Sequence, residues 1–207
     1  MYYLDIDAWE RKQHFEFFNT FADPYFAVTS ALDVTSSYAF AKKNSLSFFA
    51  VYLHACMTAV NQVENFKYRI EEDRVVVHDT IHASATMMRP NNTFGFSLIN
   101  YDEDVQIFEK NLKKEKDRIH NSDSLFPPQN YHNCIYCSAL PWISFTGHKE
   151  PVNGGKESVP KLAFAKVEEN NDKLSMQVSV SVNHALVDGY HVGLFYEKFQ
   201  EILNNNK

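Results

Sequence analysis

The chain has 207 residues, a formal net charge of −6, and a composition that is 44% hydrophobic and 22% charged. That length suits a single domain, residues 1–207, with a sizeable core. The acidic balance argues against a general affinity for nucleic acid or anionic membranes, and no apolar run is long enough to span a bilayer.

The opening MYYLDIDAWERK lacks a basic stretch followed by an apolar one, so it does not read as a secretory signal, and a soluble cytoplasmic protein is expected. A short helix is expected over Ala8 to Phe18, and the run VTSALDVTSS contains a strand. Helices follow near Ser37 to Lys43 and Leu46 to Val63, the second rich enough in apolar residues to be buried. Arg74 to His78, Ser84 to Met88 and Thr93 to Ile99 read as short strands separated by turn-prone residues. Tyr101 to His120 has the pattern of an amphipathic helix, with Val105, Phe108, Leu112 and Ile119 on its apolar side. Ser124 to Asn133, with Pro127-Pro128, reads as a loop. Thr146 to Ser158, with Gly147, Pro151, Gly154 and Gly155, reads as a second.

The clearest strand is Leu174 to Asn183. Leu174, Met176, Val178, Val180 and Val182 alternate with Ser175, Gln177, Ser179, Ser181 and Asn183. Strict period two places one face on an apolar core and the other on solvent, a channel or an interface. Asp188 then has the character of an N-cap for a last helix with Val192, Phe195, Phe199, Ile202 and Leu203 along one side. Strands dispersed among helices predict an α/β fold, a two-layer sandwich of helices on a mixed β-sheet.

Cys56, Cys134 and Cys137 are too few, and odd in number, for a disulfide framework. Cys134 and Cys137 form a C-x-x-C pair, but no second ligand pair with zinc spacing accompanies it. It lies in CIYCSALPWISF, which reads as a strand rather than the helix start that activates redox thiols, so structural thiols are expected.

His184 immediately follows the alternating strand, and Asp188 opens the helix four residues later. Ala185, Leu186 and Val187 between them are apolar, and Gly189 permits a tight turn or a close backbone approach. A histidine held beside apolar side chains is partly desolvated, and desolvation favours the neutral ring that can accept a proton. Taken by itself, a lone histidine after a strand is more often structural than catalytic, and an aspartate at a helix start is usually a simple cap.

NHALVDGYHV resembles the H-H-x-x-x-D-G loop of the chloramphenicol acetyltransferase family. SALPWISF from Ser138 is similar to the family's S-A-L-P-W segment, and WERKQHFEFF from Trp9 is similar to its W-x-R-x-x-H-F opening. SLFP at Ser124 is a further match, and the pieces occur in the family's order across nearly the whole chain. The resemblance implies a chloramphenicol acetyltransferase-like fold and acetyl transfer from acetyl-CoA, a co-substrate, to a small-molecule hydroxyl, without a metal. It implies that His184 is the general base, that Ser138 stabilises the tetrahedral oxyanion, and that Asp188 pairs with Arg11 to hold the loop. Trp142 and Lys166 fall at positions associated with CoA. Phe17, Phe18, Phe26, Phe126, Tyr136 and His148 fall in the acceptor pocket. The family is a homotrimer with active sites between subunits.

The departures cluster on the acceptor side. Asn183 replaces the first histidine of the family pair, and Ala163 stands where the family has a threonine near the tetrahedral intermediate. Phe18 replaces a pocket tyrosine, and Tyr136 replaces an asparagine two before the serine. TGHKEPVNGG places His148, Lys149 and Glu150 where pocket aromatics are expected. The leading expectation is therefore acetyl transfer, nominally to chloramphenicol. The same chemistry on a different alcohol comes next. The acyltransferase core of a 2-oxo acid dehydrogenase complex shares the fold, but the chain has no lipoyl domain or flexible linker. A non-catalytic binding protein of this fold would have little need for both His184 and Ser138.

Overall fold

The computed structural model describes residues 1–129, 132–152 and 157–206. The expected loop glycines Gly154 and Gly155 lie outside the described residues. A six-stranded mixed sheet runs in the order β2 (Tyr25–Asp33), β9 (Lys173–Asn183), β8 (Lys161–Asn170), β7 (Cys134–Ala139), β5 (His82–Met88) and β6 (Phe94–Phe96). The β7 strand runs parallel to both β8 and β5, and the other pairings are antiparallel. A smaller sheet holds β1 (Tyr2–Tyr3), β4 (Arg74–Val77) and β3 (Tyr68–Glu71). The helices are α1 (Lys12–Phe18), α2 (Thr35–Lys43), α3 (Phe48–Gln62), α4 (Val105–His120) and α5 (Gly189–Asn205). The expected mixed sheet with helices packed on it is what the chain adopts.

Strand β9 behaves as its alternation requires. Met176, Val178, Val180 and Val182 are buried in the same core as Leu53, Met57 and Val60 of α3 and Phe195, Phe199 and Leu203 of α5. The polar alternates Ser179, Ser181 and Asn183 turn the other way and share their face with Ala163 and Lys161 of β8 and Ser138 and Tyr136 of β7, because paired residues project to one side. Helix α3 is continuous because FFAVYLHACMTAVNQ contains neither Gly nor Pro, and it is buried on more than one side. No helix of the described residues is long and apolar enough to cross a membrane.

Two helices begin later than expected, for one reason. The Asp5 carboxylate accepts hydrogen bonds from the backbone N–H of Asp7 and Ala8, so residues 5–8 form a turn and α1 starts at Lys12. Asp102 likewise accepts from Asp104 N–H, and Asp104 caps α4 by accepting from Gln106 N–H at 2.7 Å. Short acidic side chains compete with the helix for backbone donors. The expected strand Thr93 to Ile99 is regular only at Phe94–Phe96, although Ile99 still bridges to Ala83. Strand β8 was not anticipated. It joins β9 through a tight turn in which Asn171 and Asp172 both take positive φ, 52° and 61°, as a two-residue hairpin demands.

Cys134 and Cys137 are buried thiols in β7. Burial pushes the Cys134 thiol up to about 11 and the Cys137 thiol up as well, which opposes the thiolate that redox or zinc chemistry requires.

Several histidines are held neutral by burial. The His78 imidazole is pushed down to about 4, first by desolvation and then by the nearby Arg69 guanidinium, and burial also lowers His54, His82 and His191. Between the ordinary imidazole value near 6.5 and those lowered values, the unfolded chain binds more protons than the folded one. Folding stability should therefore fall as pH drops from about 6.5 towards 4. Thermal melts across that range should show a declining Tm, and His78→Gln should flatten the decline; a Tm independent of pH would contradict this account.

Candidate active site

The loop that carries His184 is built by its neighbours. Asn183, at the end of β9, accepts from Ala185 N–H through its side-chain oxygen at 2.9 Å, and its amide donates to Glu157 O at 2.9 Å. Its backbone carbonyl accepts from Leu186 and Val187 N–H at 3.1 and 3.0 Å, closing the turn. Ala185, Leu186 and Val187 are buried, which anchors the turn in the core, and Asn65 donates to Leu186 O at 2.9 Å. Asn183 thus serves the backbone, a task its amide performs with one donor and one acceptor at once. His184 N–H donates to Pro24 O at 2.9 Å.

Asp188 ties this turn to two other elements. Its extended backbone and carboxylate make it the N-cap of α5, with Oδ1 accepting from Tyr190 N–H at 3.0 Å and His191 N–H at 3.5 Å. His191 Nδ1 accepts from Asp188 N–H at 3.2 Å, completing a capping box. Asp188 Oδ2 accepts from Arg11, whose other amino group donates to His184 O at 3.3 Å. The sequence reading brought Arg11 and Asp188 together but missed His191, whose position three residues after the cap was the available signal. Burial works against ionisation of the Asp188 carboxyl, but His191, Arg11 and the two backbone donors together hold it below the usual carboxylate range. Gly189 was expected to permit a tight turn or close approach. It does neither, because a Cβ there would meet nothing within 4 Å.

The His184 ring lies flat against Phe18, with centroids 4.0 Å apart and planes 5° from parallel, and meets Phe26 at 4.6 Å. Its Nδ1 is buried without a hydrogen-bond partner. Phe17 and Phe21 extend the aromatic cluster edge-on to Phe18 and stand exposed.

Ser138 belongs to a different part of the surface. It lines a cavity of about 580 Å³ on the polar side of the sheet, with Phe96, Phe126, Tyr136, Trp142 and Glu150 among its walls. Phe126 and Trp142 are 58% and 65% exposed, and Phe126 stacks on Phe96 at 5.5 Å. Ala163 is the cross-strand neighbour of Ser138 and in turn faces Ser179, whose hydroxyl is buried without a partner. Lys166 is exposed and does not line the cavity, but its N–H donates to Ile143 O at 2.9 Å, which sets it beside the Trp142 segment.

The expected site residues therefore fall into two groups. Phe17, Phe18, Phe26, Arg11 and Asp188 gather around His184, whereas Phe126, Tyr136 and Trp142 gather around Ser138. His184 does not line the Ser138 cavity. Ser138 lies two strands from β9, opposite the row of Ser179, and the path along β9 to His184 makes the separation about 19 Å. His148 was expected in the pocket wall. It is not among the lining residues; it is tilted on Phe145 at 5.4 Å and lies beside Glu150, which does line the cavity. Phe94, Phe96, Glu157 and Lys161 also line the cavity and were not anticipated; the F-G-F alternation at 94–96 was the signal for the first two.

The loop geometry yields a stability test. Asp188→Ala removes a helix cap, about 1 kcal/mol, and leaves a mostly buried Arg11 without its anion, so a total loss of about 2 kcal/mol is expected in urea denaturation. Asp188→Asn keeps a capping oxygen and should lose less. A loss below about 0.5 kcal/mol for the alanine variant would contradict the assigned role.

The sequence pattern of the family described as chloramphenicol acetyltransferase matches residues 1–200. Chloramphenicol acetyltransferase 3 of Escherichia coli is 30% identical over 98% of this chain and 96% of its own length. A solved chloramphenicol acetyltransferase superposes with a TM-score of 0.86 at 29% identity, covering 97% of this chain and 98% of that one. The fold alone extends to a dihydrolipoamide acetyltransferase of Azotobacter vinelandii, with a TM-score of 0.70 at 16% identity over 93% of this chain and 86% of that one. Agreement over this whole length, in sequence and in backbone, assigns the chain to the chloramphenicol acetyltransferase family, and it is an acyltransferase.

Proposed function

We propose that the protein transfers acetyl from acetyl-CoA to a hydroxyl of a small molecule, nominally chloramphenicol, within a ternary complex. The observation that carries this reading is the mounting of His184: a ring pressed between Phe18 and Phe26, with Nδ1 buried, on a loop braced by Arg11 and Asp188. With Nδ1 turned inward, Nε2 is the nitrogen left to meet a substrate. It takes the proton of the acceptor hydroxyl as that oxygen attacks the thioester carbonyl. The oxyanion that forms accepts a hydrogen bond from the Ser138 hydroxyl. Collapse of the tetrahedral intermediate breaks the carbon–sulfur bond, and the CoA thiolate leaves with the proton from His184. Trp142 and Lys166 line the approach of CoA, the lysine placed to meet a phosphate.

His184 and Ser138 of one chain are about 19 Å apart, too far to act on one carbonyl. The reading therefore assigns each site to two copies, one supplying His184 with Phe17, Phe18 and Phe26, the other supplying the Ser138 cavity. A surface that meets a different surface on its neighbour gives a closed ring when the rotation between copies closes, and a homotrimer is the proposed assembly. The exposed aromatics in both groups suit burial in such a contact.

Thiol release from acetyl-CoA, with and without an acceptor, tests the chemistry. His184→Ala should lower acceptor-dependent kcat/KM by at least about a hundredfold, and Ser138→Ala by about a hundredfold or more. If His184→Ala retains more than about a tenth of the activity, the general-base role is wrong.

A further inference from the structure

We infer that the acceptor this site selects is an alcohol that also carries an ammonium group, recognised by Glu150 and the aromatic wall of the Ser138 cavity. The inference rests on the acetyl-transfer reading above and concerns the same site.

Charge balance around the cavity carries the argument. Among the described residues, Lys161 is the cation in its wall, but only 5% of its side chain is exposed and its ammonium is engaged. It pairs with Glu157 at 3.0 Å, donates to Pro151 O, and sits 5.0 Å over the Tyr25 ring. Lys149, the neighbour of Glu150 in sequence, pairs with Asp23 at 3.2 Å. Among the described residues, the other basic group beside Glu150 is His148, whose Nε2 is 3.8 Å from Oε1, outside hydrogen-bond reach. Among the described residues, therefore, no cation is hydrogen-bonded to the Glu150 carboxylate, which lines the cavity with 20% of its side chain open.

An acceptor entering the cavity strips water from that carboxylate. A neutral acceptor leaves the charge desolvated and uncompensated, which weakens its binding. An ammonium group compensates it directly. Phe126 and Tyr136 line the same space, and aromatic rings add an electrostatic attraction for a cation that a neutral group of the same shape does not receive. Carboxylate and aromatic faces together describe a receptor for an amine. A hydroxyl or amide donor would meet the hydrogen-bonding capacity of Glu150 but not its charge.

The test uses the intact protein at pH 8, where an ordinary imidazole is neutral, with three acceptors in the thiol-release assay. Two are a matched pair: an aryl alcohol bearing a dimethylammonium group, and the same alcohol bearing isopropyl in its place. The tertiary amine cannot form a stable amide, so acetyl is recovered on oxygen. The third is chloramphenicol, which is neutral. The ammonium alcohol should exceed its isostere in kcat/KM by about tenfold or more, and Glu150→Gln should remove most of that preference. The ratio is taken within one preparation, so a partly misfolded variant does not distort it. Turnover of chloramphenicol or the isostere with no ammonium preference, or a preference undiminished by Glu150→Gln, overturns the inference and leaves the acetyl-transfer reading standing. Absence of acceptor-dependent thiol release with all three rejects both.

Discussion

Strand β9 has to satisfy two environments at once, and the rest of the molecule is arranged around that constraint. It is paired along its length with β2 on one side and β8 on the other, so its backbone is committed in the middle of the sheet. Its valines close the core against α3 and α5, and a shift by one residue would send every one of them to the polar face. The register so enforced decides where β9 ends, and the end of β9 is where His184 begins. The position of the imidazole is thus set by packing far along the strand, while Asn183, Asp188 and Arg11 set the course of the turn.

The same sheet geometry keeps the two halves of the chemistry apart. Ser138 stands on the polar face two strands from β9, level with Ser179, whereas His184 lies past the end of β9. Each chain carries an imidazole mounted among aromatics and, separately, a cavity lined by the Ser138 hydroxyl. A second copy is the simplest way to complete either half. Under the proposal, placing the reaction at the contact makes assembly a condition of activity and lets two surfaces shape one acceptor pocket. Of the departures of this chain from its family, Tyr136 and Glu150 line that cavity, whereas Asn183 lies in the braced loop and holds its backbone.

Legibility in the sequence followed the regularity of the local physics. The β9 strand was readable because its period is strict, and α3 and α4 because their apolar patterns persist over several turns. The late starts of α1 and α4 were not readable from periodicity, because Asp5, Asp102 and Asp104 redirect the backbone through single hydrogen bonds. Strand β8 was hidden because its apolar first half gives way to Glu168, Glu169 and Asn170, which project from an exposed end of the hairpin. His184, Asp188 and Arg11 were recognisable as a set only through the order of motifs along the chain; the loop alone does not distinguish a base from a structural histidine. The pocket wall was the hardest part. Whether His148 or Glu150 faces the cavity depends on an irregular loop with no period to count, and the structure selects Glu150.

The central claim is that one site draws His184 and Ser138 from different chains, and subunit mixing tests it most directly. His184→Ala and Ser138→Ala proteins are each inactive in that account, but a mixed ring contains a contact at which an intact His184 meets an intact Ser138. Unfolding equal amounts together and refolding them should restore about a quarter of wild-type activity, the share of intact sites expected from random mixing in a three-fold ring. Refolded mixtures no more active than the separate variants, each of which refolds to a stable assembly, would contradict a site shared between chains.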